Sequence, residues 1–138
     1  MKKIFFIIVL CGAALLFFSC SKTAYKDGTY RGKSALDDTG AWGEIALTLR
    51  DGKVTDCVFI THQKDGSIKD ENYGKVNGEI SNQDFYDKAQ LAVRAMAQYQ
   101  RQYMETQSLK NLDAVSGATI AYNQFIEATE LALEAASK

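Results

Sequence analysis

The 138-residue chain reads as one α+β domain, a small antiparallel β-sheet packed on one face by two helices. Three observations predict it. Segments of alternating polarity occupy residues 28–63, two longer segments with apolar residues near the 3.6-residue period occupy residues 81–138, and Asp51-Gly52 between two strand-like runs is a strong tight-turn signal. Strands first and helices after argue for a sheet covered by helices rather than for alternating βαβ units.

Each element follows from its residues. Gly28-Thr29-Tyr30-Arg31-Gly32-Lys33 opens a first strand, and Glu44–Arg50 alternates polar and apolar over most of its length as a second. After the Asp51-Gly52 turn, Lys53–Gln63 returns as a third strand, with Val54, Val58 and Ile60 expected on one face. Lys64-Asp65-Gly66-Ser67 turns the chain again, and the Gly- and Asn-bearing stretch through Gly78 reads as loop. Ser81 is the expected cap of a first helix, with an acid in its first turn. Its stripe is Phe85, Ala89, Ala92, Val93, Met96, Tyr99 and Tyr103, ending near Glu105. A second helix begins at Gly117 or Ala118, with a stripe of Tyr122, Phe125, Ile126, Thr129 and Leu133 and alanines on its flank.

The N-terminus reads as a secretion signal. Met1-Lys2-Lys3 precedes an apolar run from Ile4 to Phe18, about 15 residues where a membrane-spanning helix needs roughly 17–25. A transmembrane anchor is the alternative. Ser19-Cys20 resembles a lipobox, in which the cysteine carries diacylglycerol and becomes the first mature residue, although Phe17 departs from the usual Leu. The expected organisation is a lipoprotein signal over 1–19, a lipid-anchored tether over 20–27 and a folded domain over 28–138, facing outside the cytoplasm and held to the cell envelope through Cys20.

Composition narrows the function. Removing residues 1–19 takes away Lys2 and Lys3 and leaves 14 basic against 17 acidic residues, a net of −3. No Lys/Arg cluster stands out to neutralise a phosphate backbone, which argues against a nucleic-acid partner. One His, no Cys-x-x-Cys and no His-x-x-x-His leave zinc or iron without a ligand set. Of the three cysteines, Cys11 leaves with the signal and Cys20 takes the lipid, so Cys57 has no partner for an intramolecular disulfide and is expected as a small buried hydrophobe.

The chemistry-bearing segment is Asp113-Ala114-Val115-Ser116-Gly117-Ala118-Thr119, where a loop gives way to the last helix. Ser116 is expected to cap that helix, Gly117 to let a bulky group approach the backbone, and the free N–H groups of the first turn to face an anion. Thr119 supplies a hydroxyl nucleophile in that first turn. An ordinary helix start built of small residues is the plain alternative.

The run resembles the flavinylation motif of the FMN-binding domain family, and every fixed position of that pattern is met. Thr29-Tyr30-Arg31-Gly32, Asp38-Thr39-Gly40, Asp51-Gly52-Lys53-Val54, Gln63-Lys64-Asp65-Gly66 and Asp70-Glu71-Asn72-Tyr73-Gly74 follow the family's course in order. Within the family the pattern is similar to small flavin-carrying lipoproteins of bacterial extracellular electron transfer, and more distantly to flavin-bearing subunits of ion-pumping respiratory reductases. The resemblance implies an electron carrier rather than a stand-alone enzyme, with FMN joined through its phosphate to Thr119 and with Ser116, Gly117, Ala118 and Asp113 at the cofactor. It also implies a separate Mg-dependent flavin transferase that moves FMN from FAD and releases AMP. Two other readings remain: a lipoprotein that binds or senses FMN non-covalently, and a flavin-free one. Trp42, between glycines, suits either stacking on a flavin ring or closing the end of the sheet, and Tyr30 and Tyr73 are further aromatic candidates.

Overall fold

Alternation in the second strand sets the two faces of the sheet. A computed structural model describes residues 24–138, in the order β1 (Gly28–Lys33), β2 (Trp42–Arg50), β3 (Lys53–His62), α1 (Gln83–Thr106), a 3-10 turn (Leu109–Asn111) and α2 (Thr119–Ala136). The strands form an antiparallel sheet in the order β1-β2-β3. Along β2, Gly43, Ile45, Leu47 and Leu49 are buried beneath the helices, while Trp42, Glu44, Ala46 and Thr48 line the other face. The expected α+β architecture is therefore present. The signal segment and Cys20 lie outside the described residues.

The β2–β3 hairpin turns on two residues with positive φ, Asp51 at 51° and Gly52 at 73°, as a two-residue turn of primed type requires. Its register carries a correction. Leu49 pairs with Val54 and Thr48 with Asp56, so Thr55 is an extra residue in β3 and the alternation changes phase there. Val54 points inward as expected. Beyond the bulge the inward set is Cys57, Phe59 and Thr61, whereas Val58 (43 % exposed) and Ile60 turn to the outer face.

Helix α1 starts one residue later than its expected cap. Asn82, not Ser81, accepts the Phe85 N–H on its side-chain oxygen at 2.9 Å. Ala89, Met96, Tyr99 and Tyr103 of the expected stripe are buried, but Phe85 is 52 % exposed, because the first turn of α1 overhangs the loop rather than the sheet. The helix ends at Gln107, left-handed at φ 55°, whose amide side chain takes the Val54 N–H at 2.8 Å and gives its own N–H to the Val54 carbonyl at 3.0 Å. Gln100 likewise accepts the Phe59 N–H at 2.9 Å. These glutamines pair backbone groups on the outer edge of β3, where an unpaired strand would invite association.

Helix α2 packs on β1 and β2 through its smallest residues. Ala121, Ala128, Ala132 and Ala136, expected on the flank, lie in the core with Phe125 and Thr129, while Tyr122, Ile126 and Leu133 sit half-buried at its margins. The reason is close approach: a Cβ on Gly32 would meet the Ala128 carbonyl oxygen at 1.8 Å and the Ala132 nitrogen at 2.8 Å. Only hydrogen fits between strand and helix there. Phe125 fills the centre, its ring 5.1 Å from Phe59 and 6.0 Å from both Tyr99 and Tyr103.

Two outcomes follow from this core. Gly32→Ala sets a methyl against backbone that cannot rotate away, and it should cost about 3 kcal/mol or more, read as a lower urea midpoint. Burial, with Asp56 adding to it, pushes the Cys57 thiol up to about 12, so the folded protein should not react with a thiol reagent at pH 8 and the unfolded protein should. The neutral thiol and the Tyr103 hydroxyl, pushed up by burial to about 12, are both favoured by the fold. That stability is fully present below about pH 8, where the unfolded groups are almost wholly protonated, and it should fall progressively toward pH 12 in a series of urea melts.

Candidate functional site

The segment before α2 is shaped by a β-turn. The Ala118 N–H donates to the Val115 carbonyl at 3.0 Å across Ser116 and Gly117, and Gly117 holds φ 84° at the third position, where a type II turn needs glycine. A Cβ on Gly117 would also meet Leu91 at 3.0 Å. Glycine is thus required by backbone conformation and by α1 packing, before any ligand is considered. From beneath, Tyr99, fully buried, accepts the Val115 N–H on its hydroxyl at 3.0 Å and sits 3.5 Å from the Ala118 carbonyl. Burial raises the Tyr99 pKa, with Tyr122 nearby adding to it, and the Val115 bond only partly opposes this, so the phenol stays neutral.

Ser116 does not cap the helix. The cap position is Ala118, which makes no side-chain cap hydrogen bond, and the first intrahelical bond runs from the Tyr122 N–H to the Ala118 carbonyl at 3.0 Å. The shift of the cap from Ser116 to Ala118 follows from the turn, which uses Ser116 and Gly117 as its two central residues. As a result Thr119, Ile120 and Ala121 are the first three helical residues, and their N–H groups precede any intrahelical acceptor. The exposed side chain of Thr119 stands at this end of the helix.

Beside it runs a cleft of about 350 Å³ between the start of α2, the first half of α1 and the loop after β3; Thr61, Lys69, Tyr73, Lys88, Thr119 and Gln124 are among its walls. A wider groove of about 990 Å³ shares Lys69, Tyr73 and Phe85 with it and does not include Thr119. Of the residues singled out by sequence, Gly117, Ala118 and Thr119 line the cleft, while Ser116 and Asp113 are exposed and outside its lining. Asp113 is held by its own N–H to Gln102 Oε1 at 3.0 Å. Among the aromatic candidates Tyr73 lines the cleft, and Tyr30 packs against the core. Trp42 lies on the outer face of the sheet, stacked on His62 at 4.9 Å with Lys33 Nζ 4.4 Å from its ring centre.

Sequence reading missed a polar cluster that joins the cleft wall at Gln124 to the groove wall at Thr39 and Ala41. Asp37 Oδ1 accepts the Thr39 N–H (2.8 Å), the Thr39 hydroxyl (2.6 Å) and the Ala41 N–H (2.9 Å). Gln124, only 5 % exposed, gives its Nε2 to Asp37 Oδ2 at 3.4 Å and to the Ala41 carbonyl at 3.3 Å. Both neighbours only accept, which fixes the amide orientation and leaves Gln124 Oε1 buried with no partner among the described residues. Burial works to raise the Asp37 pKa, but its hydrogen bonds outweigh that and the carboxylate lies below its usual range. Lys69 is displaced downward by burial, which Asp37 opposes, and Tyr73 upward by burial with Asp37 reinforcing it. An Asp37-x-Thr39 turn was the one signal in the sequence that could have drawn attention to this loop.

The chain belongs to the FMN-binding domain family, whose model matches residues 40–134. No curated protein matches it. Among solved structures it is similar to a Clostridium perfringens protein determined by crystallography, at 24 % identity and a TM-score of 0.63 over 81 % of this chain and 88 % of that one. A Clostridium thermocellum protein determined by NMR matches at 23 % identity and a TM-score of 0.46, over 82 % of this chain and 93 % of that one. The first likeness concerns the fold. The family implies FMN, and the residues fit it: an uncapped helix start for a phosphate, a neighbouring cleft with an aromatic wall, two lysines, and a buried amide oxygen in want of a donor.

The turn itself can be tested without ligand. Tyr99→Phe should cost about 1–3 kcal/mol, the loss expected when a buried N–H is left unpaired. Hydrogen exchange should rise first at Val115 and Ala118, with the amides of β2 little changed below the global unfolding limit.

Proposed function

We propose that this protein is an electron carrier of the cell envelope that holds FMN covalently, as a phosphoester on Thr119. The observation that carries the reading is the position of Thr119: its hydroxyl stands at the first residue of an uncapped 18-residue helix whose leading N–H groups are free for phosphate oxygens, at the mouth of a cleft with Tyr73 in its wall. Lys88 lines the same cleft and adds positive charge for a phosphate. The bound flavin supplies the redox chemistry; the chain binds it, orients it and limits water around it.

Loading is the work of a separate flavin transferase. The Thr119 oxygen displaces AMP from FAD, the Thr119 proton leaves with the released AMP or to solvent, and the Thr–O–P bond forms as the bond to AMP breaks. No His lines the cleft, and a threonine hydroxyl without a base or metal is a poor nucleophile, which supports an outside catalyst. The mature chain is anchored to the membrane through lipid on Cys20.

Protein matured in the envelope with its transferase should gain the mass of FMN less water in intact-mass measurement, and Thr119→Val should not. If the yellow colour separates from the chain on denaturation, the flavin is bound non-covalently and Thr119 only cradles its phosphate. Cys20→Ala should release the folded domain to the soluble fraction or stall it as precursor, as fractionation and N-terminal analysis would read; normal processing with membrane retention would point to a different anchor.

A further inference from the structure

We propose that Lys69 sets the reduction potential of the site, holding its ammonium where negative charge gathers when a flavin in the cleft is reduced; this rests on the flavin reading above. Lys69 lies in the wall common to the cleft and the groove, so anything filling either cavity comes beside it. Its backbone is fixed. The Lys69 N–H donates to the Thr61 carbonyl at 2.8 Å, and the neighbouring Ile68 forms a bridge with His62, so the segment runs on as an addition to the edge of β3.

Among the described residues the ammonium has no counter-ion in contact. The ion pairs among the described residues are Arg31–Glu44, His62–Glu44 and Glu134–Lys138. Asp37 is the carboxylate whose charge Lys69 feels, yet its oxygens are committed to Thr39, Ala41 and Gln124. What Lys69 does face is the Tyr73 ring, with Nζ 5.1 Å from the ring centre. A half-buried cation served by a ring face and a carboxylate outside ion-pair contact is poorly compensated, and it gains most from a partner that becomes negative in the cavity. Two electrons and one proton delivered to the oxidised ring by a reductant leave it with one negative charge. A fixed cation lowers the energy of that state and has little to act on in the neutral oxidised one, so it raises the potential.

The test is a spectroelectrochemical titration of flavin-loaded protein at fixed pH and ionic strength, with dithionite as reductant. Lys69→Met should weaken the reduced state relative to the oxidised by tenfold or more, a fall in midpoint of about 30 mV or more for a two-electron couple. Lys69→Arg should stay within threefold of wild type, and so should Lys110→Met, which removes a charge from the 3-10 turn remote from both cavities. Lys69→Gln, which loses the charge and keeps a polar tip, replaces the Met variant if that one does not fold and should fall in the same direction. Unchanged potentials in charge-removing variants that still carry flavin would overturn the role of Lys69 and leave the flavin reading intact, as would an equal fall in the Arg variant. Protein that carries no flavin after exposure to transferase and FAD would overturn both.

Discussion

The hydroxyl of Tyr99 is the contact on which the site depends. The residue occupies the core position that the α1 stripe demands, with its ring 5.6 Å from Tyr122 and 6.0 Å from Phe125, and its oxygen emerges under the turn that leads into α2. One side chain therefore joins the packing of the two helices to the backbone of the segment that leads to Thr119. A buried phenol must find a partner, and here the partner is a loop amide that would otherwise be orphaned. The turn carrying Ser116 and Gly117 is thereby referenced to the core, and Thr119 inherits that reference through the three residues that separate it from Val115.

Close approach at Gly32 does comparable work at the other end of α2. With backbone lying on backbone, the helix cannot slide along β1 without a clash, and the alanine face leaves no large side chains to repack around a new position. The helix axis is fixed at Gly32 and its first turn at Tyr99. Between them Gln124 ties α2 to the Asp37 loop. Thr119 and Gln124, both in the cleft wall, thus sit on one rigid element, the arrangement that positions a ligand more closely than loops can.

Much of this was legible in the sequence, and the failures have identifiable physical causes. The hairpin was read correctly because Asp51-Gly52 is a purely local signal, and both helices because their periods persist over several turns. The faces of β3 were not, since a single extra residue at Thr55 moves Val58 and Ile60 to the outer surface and no local feature of the sequence announces a bulge. The alanines of α2 looked like flank because a hydrophobicity pattern rewards size, whereas a helix lying against Gly32 and Gly43 rewards smallness. The family motif pointed to Thr119, but Lys69 and Gln124 reach the cleft from separate segments, with Asp37 bonded to Gln124 from a third, and no spacing rule connects residues 37, 69 and 124. Ser116 illustrates a subtler limit: serine before a helix signals a cap, and here the same residue serves a turn two positions earlier.

That difference bears on how the site works. A side-chain cap at Ser116 would occupy one of the first-turn N–H groups and compete with an incoming phosphate, whereas Ala118 at the cap offers nothing to compete. The unpaired N–H groups are a small cost to the apo domain, tolerable because Thr119 and Ile120 face solvent. Phosphate bound there regains those hydrogen bonds and the favourable end of the helix dipole, about 0.3–1 kcal/mol for an exposed anion and more when partly buried. On the proposed function the same geometry would hold a phosphoester without making one, because His62, the chain's one histidine, is on the opposite face of the sheet and Asp113 lies outside the cleft lining. A threonine hydroxyl with no histidine among the cleft residues is a poor nucleophile, which is why a transferase is part of the proposed function.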